Sequence, residues 1–280
     1  MKISEIYKED APLFSEYIDE DMRENLDRVF YNAIGAMDEG ETPAGVLVYE
    51  LQNSESEKDT LSRILSFDAK SGDISDELMS EYEEAVAENE VAYSFYESPD
   101  ERFARGLSEC GFSLEKAESP DIVLSLQDVR KLCNIIKTDV IPPYIMPLSE
   151  VSVFQYRTFV KECLFRDNRG LAEDLAYLPQ SWFDQELSSC MMDDEELKGA
   201  LLIRRNPSGL LQVMLYTAIG ADFRKNLALM MMHSARMVVK HCPEDTRIII
   251  RRHNDGVKKL TDKLFSSAKG EIVFKGKRQE

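Results

Sequence analysis

The 280-residue chain is poor in the residues that usually announce a chemistry: it has one tryptophan, three histidines and five cysteines. The cysteines (Cys110, Cys133, Cys163, Cys190 and Cys242) are odd in number, scattered and never spaced as CxxC. That pattern excludes a disulfide framework and a zinc site as organising elements and points to a reducing compartment. His233, His241 and His253 form no metal-ligand spacing. Glycine (13) and proline (10) are modest and no tract is of low complexity, which excludes collagenous and disordered classes. No stretch approaches the roughly 18 apolar residues of a membrane helix. The start, Met1-Lys2-Ile3-Ser4-Glu5, lacks the basic and apolar segments of a secretory signal, so the expected location is cytoplasmic. There is no P-loop, no dinucleotide-binding glycine fingerprint and no Ser-His-Asp or Cys-His order.

What the chain has in excess is acid: 52 acidic against 34 basic side chains, a net charge of −18. The excess is not shared evenly. Residues 1–140 carry 13 basic and 34 acidic groups, net −21, whereas residues 141–280 carry 21 and 18, net +3. An acidic half repels phosphates and nucleic acid; a near-neutral half with local Lys/Arg clusters can accept an anion.

Hydrophobic periodicity yields the same order of elements twice. In the first half, residues 6–30 read as helical, 43–51 and 61–67 as strands around the polar loop 53–60, 75–89 as a helix, 91–96 as a strand, 98–110 as a helix capped by Ser98-Pro99-Asp100 and ended by Gly111, and 122–126 as a strand. In the second half, residues 149–163 and 181–190 read as helices, 197–203 and 210–219 as a hairpin closed by Asn206-Pro207-Ser208-Gly209, 224–241 as a long helix, 246–251 as a strand, 254–265 as a helix and 271–274 as the last strand. Residues 131–147, with Pro142-Pro143, read as a linker.

This order, with Ala44-Gly45-Val46-Leu47-Val48 and the later Glu109-Cys110-Gly111-Phe112, resembles the GCN5-related N-acetyltransferase (GNAT) fold in tandem. The resemblance implies an α/β (α+β) class: two GNAT-like domains, 1–138 and 139–280, each a mixed central β-sheet flanked by helices. It further implies acetyl-CoA as cofactor, an acyl group passed to a small-molecule or peptide amine, and a pyrophosphate seated at the start of the helix after the hairpin, in an Arg/Gln-x-x-Gly-x-Gly/Ala loop. Unpaired amides and the helix dipole make such a terminus attractive to an anion.

In the first half that loop is Lys70-Ser71-Gly72-Asp73-Ile74-Ser75, followed by Asp76, Glu77, Glu81, Glu83 and Glu84, whose charge competes with a phosphate. The first domain is therefore expected to be degenerate and without cofactor. In the second half it is Asp222-Phe223-Arg224-Lys225-Asn226-Leu227-Ala228, with Phe223 where Arg or Gln is expected and Asn226 at the first glycine position. Ile219, Arg224, Lys225, Asn226, Leu227 and Ala228 are the candidate cofactor-binding residues. The phenol that the family places before the late Gly-Phe is replaced by Leu107 in one half and Thr261 in the other, leaving the catalytic acid unassigned. Glu50 and Tyr216 are weaker catalytic candidates. Trp182 stands where acceptor sites are usually lined but reads more simply as a packing anchor, as Met230-Met231-Met232 reads as core filling. The expectation is an acyl-CoA-dependent N-acyltransferase acting through the second domain; the alternative is a non-catalytic binding or regulatory protein on the same fold. Nucleic acid is an improbable partner, and Arg247, Arg251, Arg252, Lys258 and Lys259 read as ordinary surface charge.

Overall fold

The computed structural model describes residues 1–53, 59–135, 140–165, 173–220, 223–252, 255–266, 268 and 270–280. Two compact units emerge: Met1–Ser119 with Glu271–Glu280, and Pro120–Gly270.

The first unit starts with β1 (Lys2–Glu5), a 3-10 turn at Ala11–Phe14 and a short α1 (Glu20–Glu24). One helix over 6–30 was expected; Pro12 opens only a 3-10 turn, and Asp19, accepting from the Met22 amide, starts a separate segment. The apolar residues still serve one purpose, because Ile6, Phe14 and Ile18 are buried against Ala33, Val46 and Val48. Strands β2 (Tyr31–Met37), β3 (Pro43–Asn53) and β4 (Thr60–Ala69) form an antiparallel meander. Helix α2 (Gly72–Glu88) crosses over to β5 (Val91–Ser98), parallel to β4, and α3 (Glu101–Glu109) follows, N-capped by Asp100 and ended at Gly111 with φ +89°.

Strand β6 (Glu115–Ser125) leads to α4 (Leu126–Ile135). Helix α4 occupies the start of the expected linker; residues 136–139 lie outside the described set. Strand β7 (Ile145–Pro147) and α5 (Val153–Phe165) come next. The helix expected over 181–190 is instead a 3-10 turn at Gln180–Trp182 followed by β8 (Ser189–Asp193). Asp184 Oδ1 accepts from the amides of Glu186 and Leu187, which holds a turn, and Cys190 then pairs with Met146 and Ala200 on its two sides. Strands β9 (Glu196–Arg205) and β10 (Leu211–Ala218) form the expected hairpin, with Gly209 at φ +85° in its turn. Helix α6 (Phe223–His241) crosses to β11 (Arg247–Ile250), parallel to β10, and α7 (Asp255–Leu264) follows. Residues 122–125 of β6 pair antiparallel with β11.

Strand β12 (Gly270–Gln279) is longer than expected and pairs antiparallel with β5, so residues 271–280 belong to the first unit. Gly276 permits this fit, since a Cβ there would lie 2.1 Å from the Tyr96 ring and 2.2 Å from the Ser113 carbonyl oxygen.

The repeat is visible atom by atom. Gly45 on β3 faces Ala69 and Leu78, and Gly199 on β9 faces Ala218 and Met230; in each case a Cβ would sit 3.0–3.1 Å from the alanine methyl and 3.0 Å from the helix side chain. The glycines let the crossover helix lie close over the sheet.

A candidate acyl-donor site at a forked strand pair

Strands β10 and β11 stay together only briefly. The parallel register runs Leu211↔Ile248, Gln212↔Ile249, Val213↔Ile250 and stops. Met214 is the extra residue of a bulge against β9, and beyond it Leu215–Ala218 continue in register with Leu202–Gly199 alone. A bulge raises local twist and re-aims the strand, so β10 leaves β11 and exposes its hydrogen-bonding edge to whatever enters the fork. An extended, amide-bearing ligand can pair with such an edge.

At this fork lies a cavity of about 120 Å³. Its walls are β10 (Val213 to Thr217), β11 (Ile248, Ile250) with Arg251 just after it, one face of α6, one face of α7 and the α4 residues Val129 and Leu132. Two hydroxyls on these walls are buried without a hydrogen-bond partner, the Tyr216 phenol and Ser234 Oγ. Unpaired buried polar groups are rare and call for an explanation; Trp182 Nε1 is another, away from this cavity, but only Tyr216 and Ser234 share one cavity wall. Burial pushes the Tyr216 phenol well above its ordinary value, so it stays protonated at neutral pH and can donate. Thr261 also lines the cavity, but its hydroxyl is directed to the Val257 and Lys258 carbonyl oxygens at 2.9 and 3.0 Å.

The expected phosphate loop sits directly beyond the fork. The Ile219 amide donates to the Lys198 carbonyl oxygen at 2.7 Å, ending the hairpin, and Gly220 turns at φ +116°. Ala221 and Asp222 lie outside the described residues. Helix α6 opens with Arg224 and Lys225 exposed and has no acid in its first turn, whereas α2 opens with Asp73. Asn226, Leu227 and Ala228 are half-buried. Among the described residues none of Ile219, Arg224, Lys225, Asn226, Leu227 and Ala228 lines the cavity; they follow β10 in sequence and open α6.

The first unit has the same fork. Its last parallel pair is Ile64↔Tyr96, Leu65 is the bulged residue, and Ser66–Ala69 continue along β3. There Phe67 takes the place of Tyr216, is 7% exposed and packs on α3, with a Cβ at Gly106 3.8 Å from its ring. Arg102 on α3 reaches Asp68 at 3.6 Å, and Tyr96 packs edge-on to Phe103 at 5.6 Å. Leu107, in place of a phenol, is fully buried. Glu50 is held in a buried ion pair, accepting from Arg28 Nη2 at 2.5 Å and from Gln52 at 2.9 Å. Phe67 is thus packed rather than polar at this position, and Glu50, which pairs with Arg63 before the bulge, is already engaged.

Sequence reasoning missed Met214 and Ser234. A bulge leaves no mark in composition, but Ser234 was traceable as a lone hydroxyl within the apolar stripe Met231, Ala235, Val238 of α6. The remaining candidates are structural. Trp182 is a packing anchor, edge-on to Phe183 at 5.1 Å and covered by the Arg204 guanidinium at 4.4 Å. Met230 and Met232 are fully buried. His233 is half-buried with Nδ1 unpaired, His241 is exposed at the end of α6, and His253 lies outside the described residues. Arg251 and Arg252 face Asp121 and Asp262 at 3.8 and 2.8 Å. All five cysteines are free thiols, and burial pushes Cys190 up to about 12. Among the described residues no group of three His, Cys, Asp or Glu side chains is placed to hold a metal ion, and no helix is long and apolar enough to cross a membrane.

No family model matches the sequence, and no curated protein sequence matches it. Solved structures do. A tandem GNAT protein from the clavulanic acid biosynthesis pathway is similar over 99% of this chain and 98% of its own, with a TM-score of 0.61 and 10% identity. A GCN5-related N-acetyltransferase from Anabaena variabilis covers 99% of this chain and 73% of its own (TM-score 0.55, 12% identity). A probable N-acyltransferase from Enterococcus faecalis covers 99% and 72% (TM-score 0.52, 14% identity). At these identities the likeness concerns the fold, and it agrees with the repeated meander, crossover helix and forked parallel pair: the chain has the GNAT fold, built in tandem.

Proposed function

We propose that the protein is an acyl-CoA-dependent N-acyltransferase working through its second unit, with an amine as acceptor. The observation that carries this reading is the contrast between two equivalent forks: that of β10 and β11 borders a cavity with two unpaired hydroxyls, whereas at the matching position of β4 the buried Phe67 packs towards α3 and offers no hydroxyl. The donor set fits a coenzyme A thioester: the edge of β10 beyond its parallel pairing for its amides, an apolar cavity beside that edge and a basic helix start for its phosphates. Acetyl-CoA, when bound, supplies an acyl group activated as a thioester.

The protein's own part is then definable. Arg224 and Lys225, with the α6 dipole, attract and orient the phosphates. Transfer forms a carbon–nitrogen bond and breaks a carbon–sulfur bond, while the amine gives up one proton and the departing sulfur takes one. Tyr216 carries a proton at Oη that it can share with the sulfur as charge develops there, and the proton released by the amine restores the phenol. Tyr216 thus takes from a strand the part that the late helix, with Thr261, does not play. The first unit is a structural partner without cofactor.

Calorimetric titration with acetyl-CoA tests this. Saturable binding is expected, weakened at least about tenfold by Arg224→Glu/Lys225→Glu, because each charge at a helix start contributes roughly 0.3–1 kcal/mol. No heat at millimolar ligand, or unchanged affinity in the double variant, refutes it.

A further inference from the structure

The cavity at the β10/β11 fork continues well past the strands. From Met214–Thr217 it passes between Ala235 and Val238 of α6 and Leu260 and Leu264 of α7, and it is bounded on α4 by Val129 and Leu132. A single water needs roughly 10–15 Å³ of such space, so about 120 Å³ is room for many heavy atoms. The walls are almost wholly hydrocarbon, and a void of that character does not hold ordered water well. Yet two hydroxyls on the walls, Tyr216 Oη and Ser234 Oγ, lack partners, although Ser234 is only 3% exposed. The fitting occupant is a molecule with a polar group to meet these hydroxyls and an apolar body to fill the rest.

We infer that this cavity receives the hydrocarbon chain of the donor's acyl group, so that the protein transfers a medium-chain acyl group in preference to acetyl. The inference rests on the acyl-CoA reading and specifies its substrate class. A thioester lying in the fork has its sulfur and carbonyl beside β10 and its chain directed into the apolar space between α6 and α7. An acetyl group leaves that space empty and gains nothing from it. Each methylene seated there is worth about 0.8 kcal/mol, or roughly fourfold in affinity.

The test is calorimetry on the full chain with CoA, acetyl-, butyryl-, hexanoyl- and octanoyl-CoA, repeated with Ala235→Leu, which fills the cavity from α6 without touching the helix start or Tyr216. Affinity is expected to rise along the series, by at least about tenfold from acetyl to hexanoyl. In Ala235→Leu the rise should shrink below about threefold while acetyl-CoA binds as in the wild type. Val238→Phe repeats the measurement should Ala235→Leu fold poorly, and the wild-type series stands without either. Equal affinity across the series, or a rise that survives both fillings, overturns the inference and leaves the acyl-CoA reading standing. Failure of every thioester and of CoA itself to bind overturns that reading and the inference with it.

Discussion

Replacing Tyr216 by phenylalanine should separate stability from catalysis. The ring is packed at the β10/β11 fork and its hydroxyl is buried without a partner. An unmet buried hydroxyl costs about 1–3 kcal/mol, and phenylalanine keeps the ring while removing that cost. Allowing for relaxation around the site, Tyr216→Phe should stabilise the second unit by about 1 kcal/mol, which for a domain of roughly 150 residues raises Tm by about 2–4 °C. If the phenol protonates the leaving thiolate, the same change should lower kcat by about 10²–10⁴ with little effect on acyl-CoA affinity. Thermal unfolding followed by circular dichroism reads the first effect, and thiol release in a colorimetric assay reads the second. A Tm lower by several degrees together with undiminished turnover would mean that the hydroxyl has a structural partner and no catalytic part, and the reasoning would fail on both counts.

Three further changes probe the scaffold. Arg28→Ala removes the cation that Glu50 meets at 2.5 Å in a buried ion pair and should cost about 3–5 kcal/mol in denaturant titrations, with turnover per folded molecule unchanged because the pair lies in the first unit. Gly276→Ala drives a methyl into Tyr96 and the Ser113 carbonyl and should destabilise the first unit by at least about 1–3 kcal/mol, seen as earlier hydrogen exchange in β5. Burial lowers the pKa of His233 below its ordinary 6.5, so the unfolded chain binds the proton more readily than the folded one. The resulting stability is fully present above about pH 6.5 and is lost as the pH falls. The Tm of the wild type should fall from pH 7.5 to 5.5 more than that of His233→Asn, and parallel curves would exclude the histidine as the cause.

How much of this was legible beforehand depends on what each feature is made of. The repeat was readable because its strands and crossover helices are continuous apolar runs with strong ends, such as Asp100 before α3 and Gly209 in the hairpin. The contrast between α2 and α6 was readable because charge is a property of sequence, and Asp73 against Arg224 and Lys225 survives into the structure. Three features escaped. Residues 6–30 have a helical stripe, but Pro12 and the Asp19 cap divide them, and burial against β2 and β3 fixes the pieces. Residues 181–190 read as a helix although Ser188 and Ser189 are fully buried beside a strand, where Ser189 Oγ donates to the Met230 carbonyl oxygen; tertiary pairing overrode local preference. The forks themselves arise from single extra residues, Leu65 and Met214, which only pairing between strands reveals.

The placement of β12 sets an order of assembly during synthesis. When residues 1–119 have left the ribosome, β5 has β4 on one side and nothing yet made for the other, and that bare edge carries Tyr93, Phe95 and Tyr96. Its partner is translated only after the whole of residues 120–270. The second unit can therefore reach its native state first, and the first must wait for it with an aromatic edge open to wrong pairing. A nascent chain that stalls before residue 271 keeps that edge open, so the pairing of β5 depends on residues made about 150 positions later.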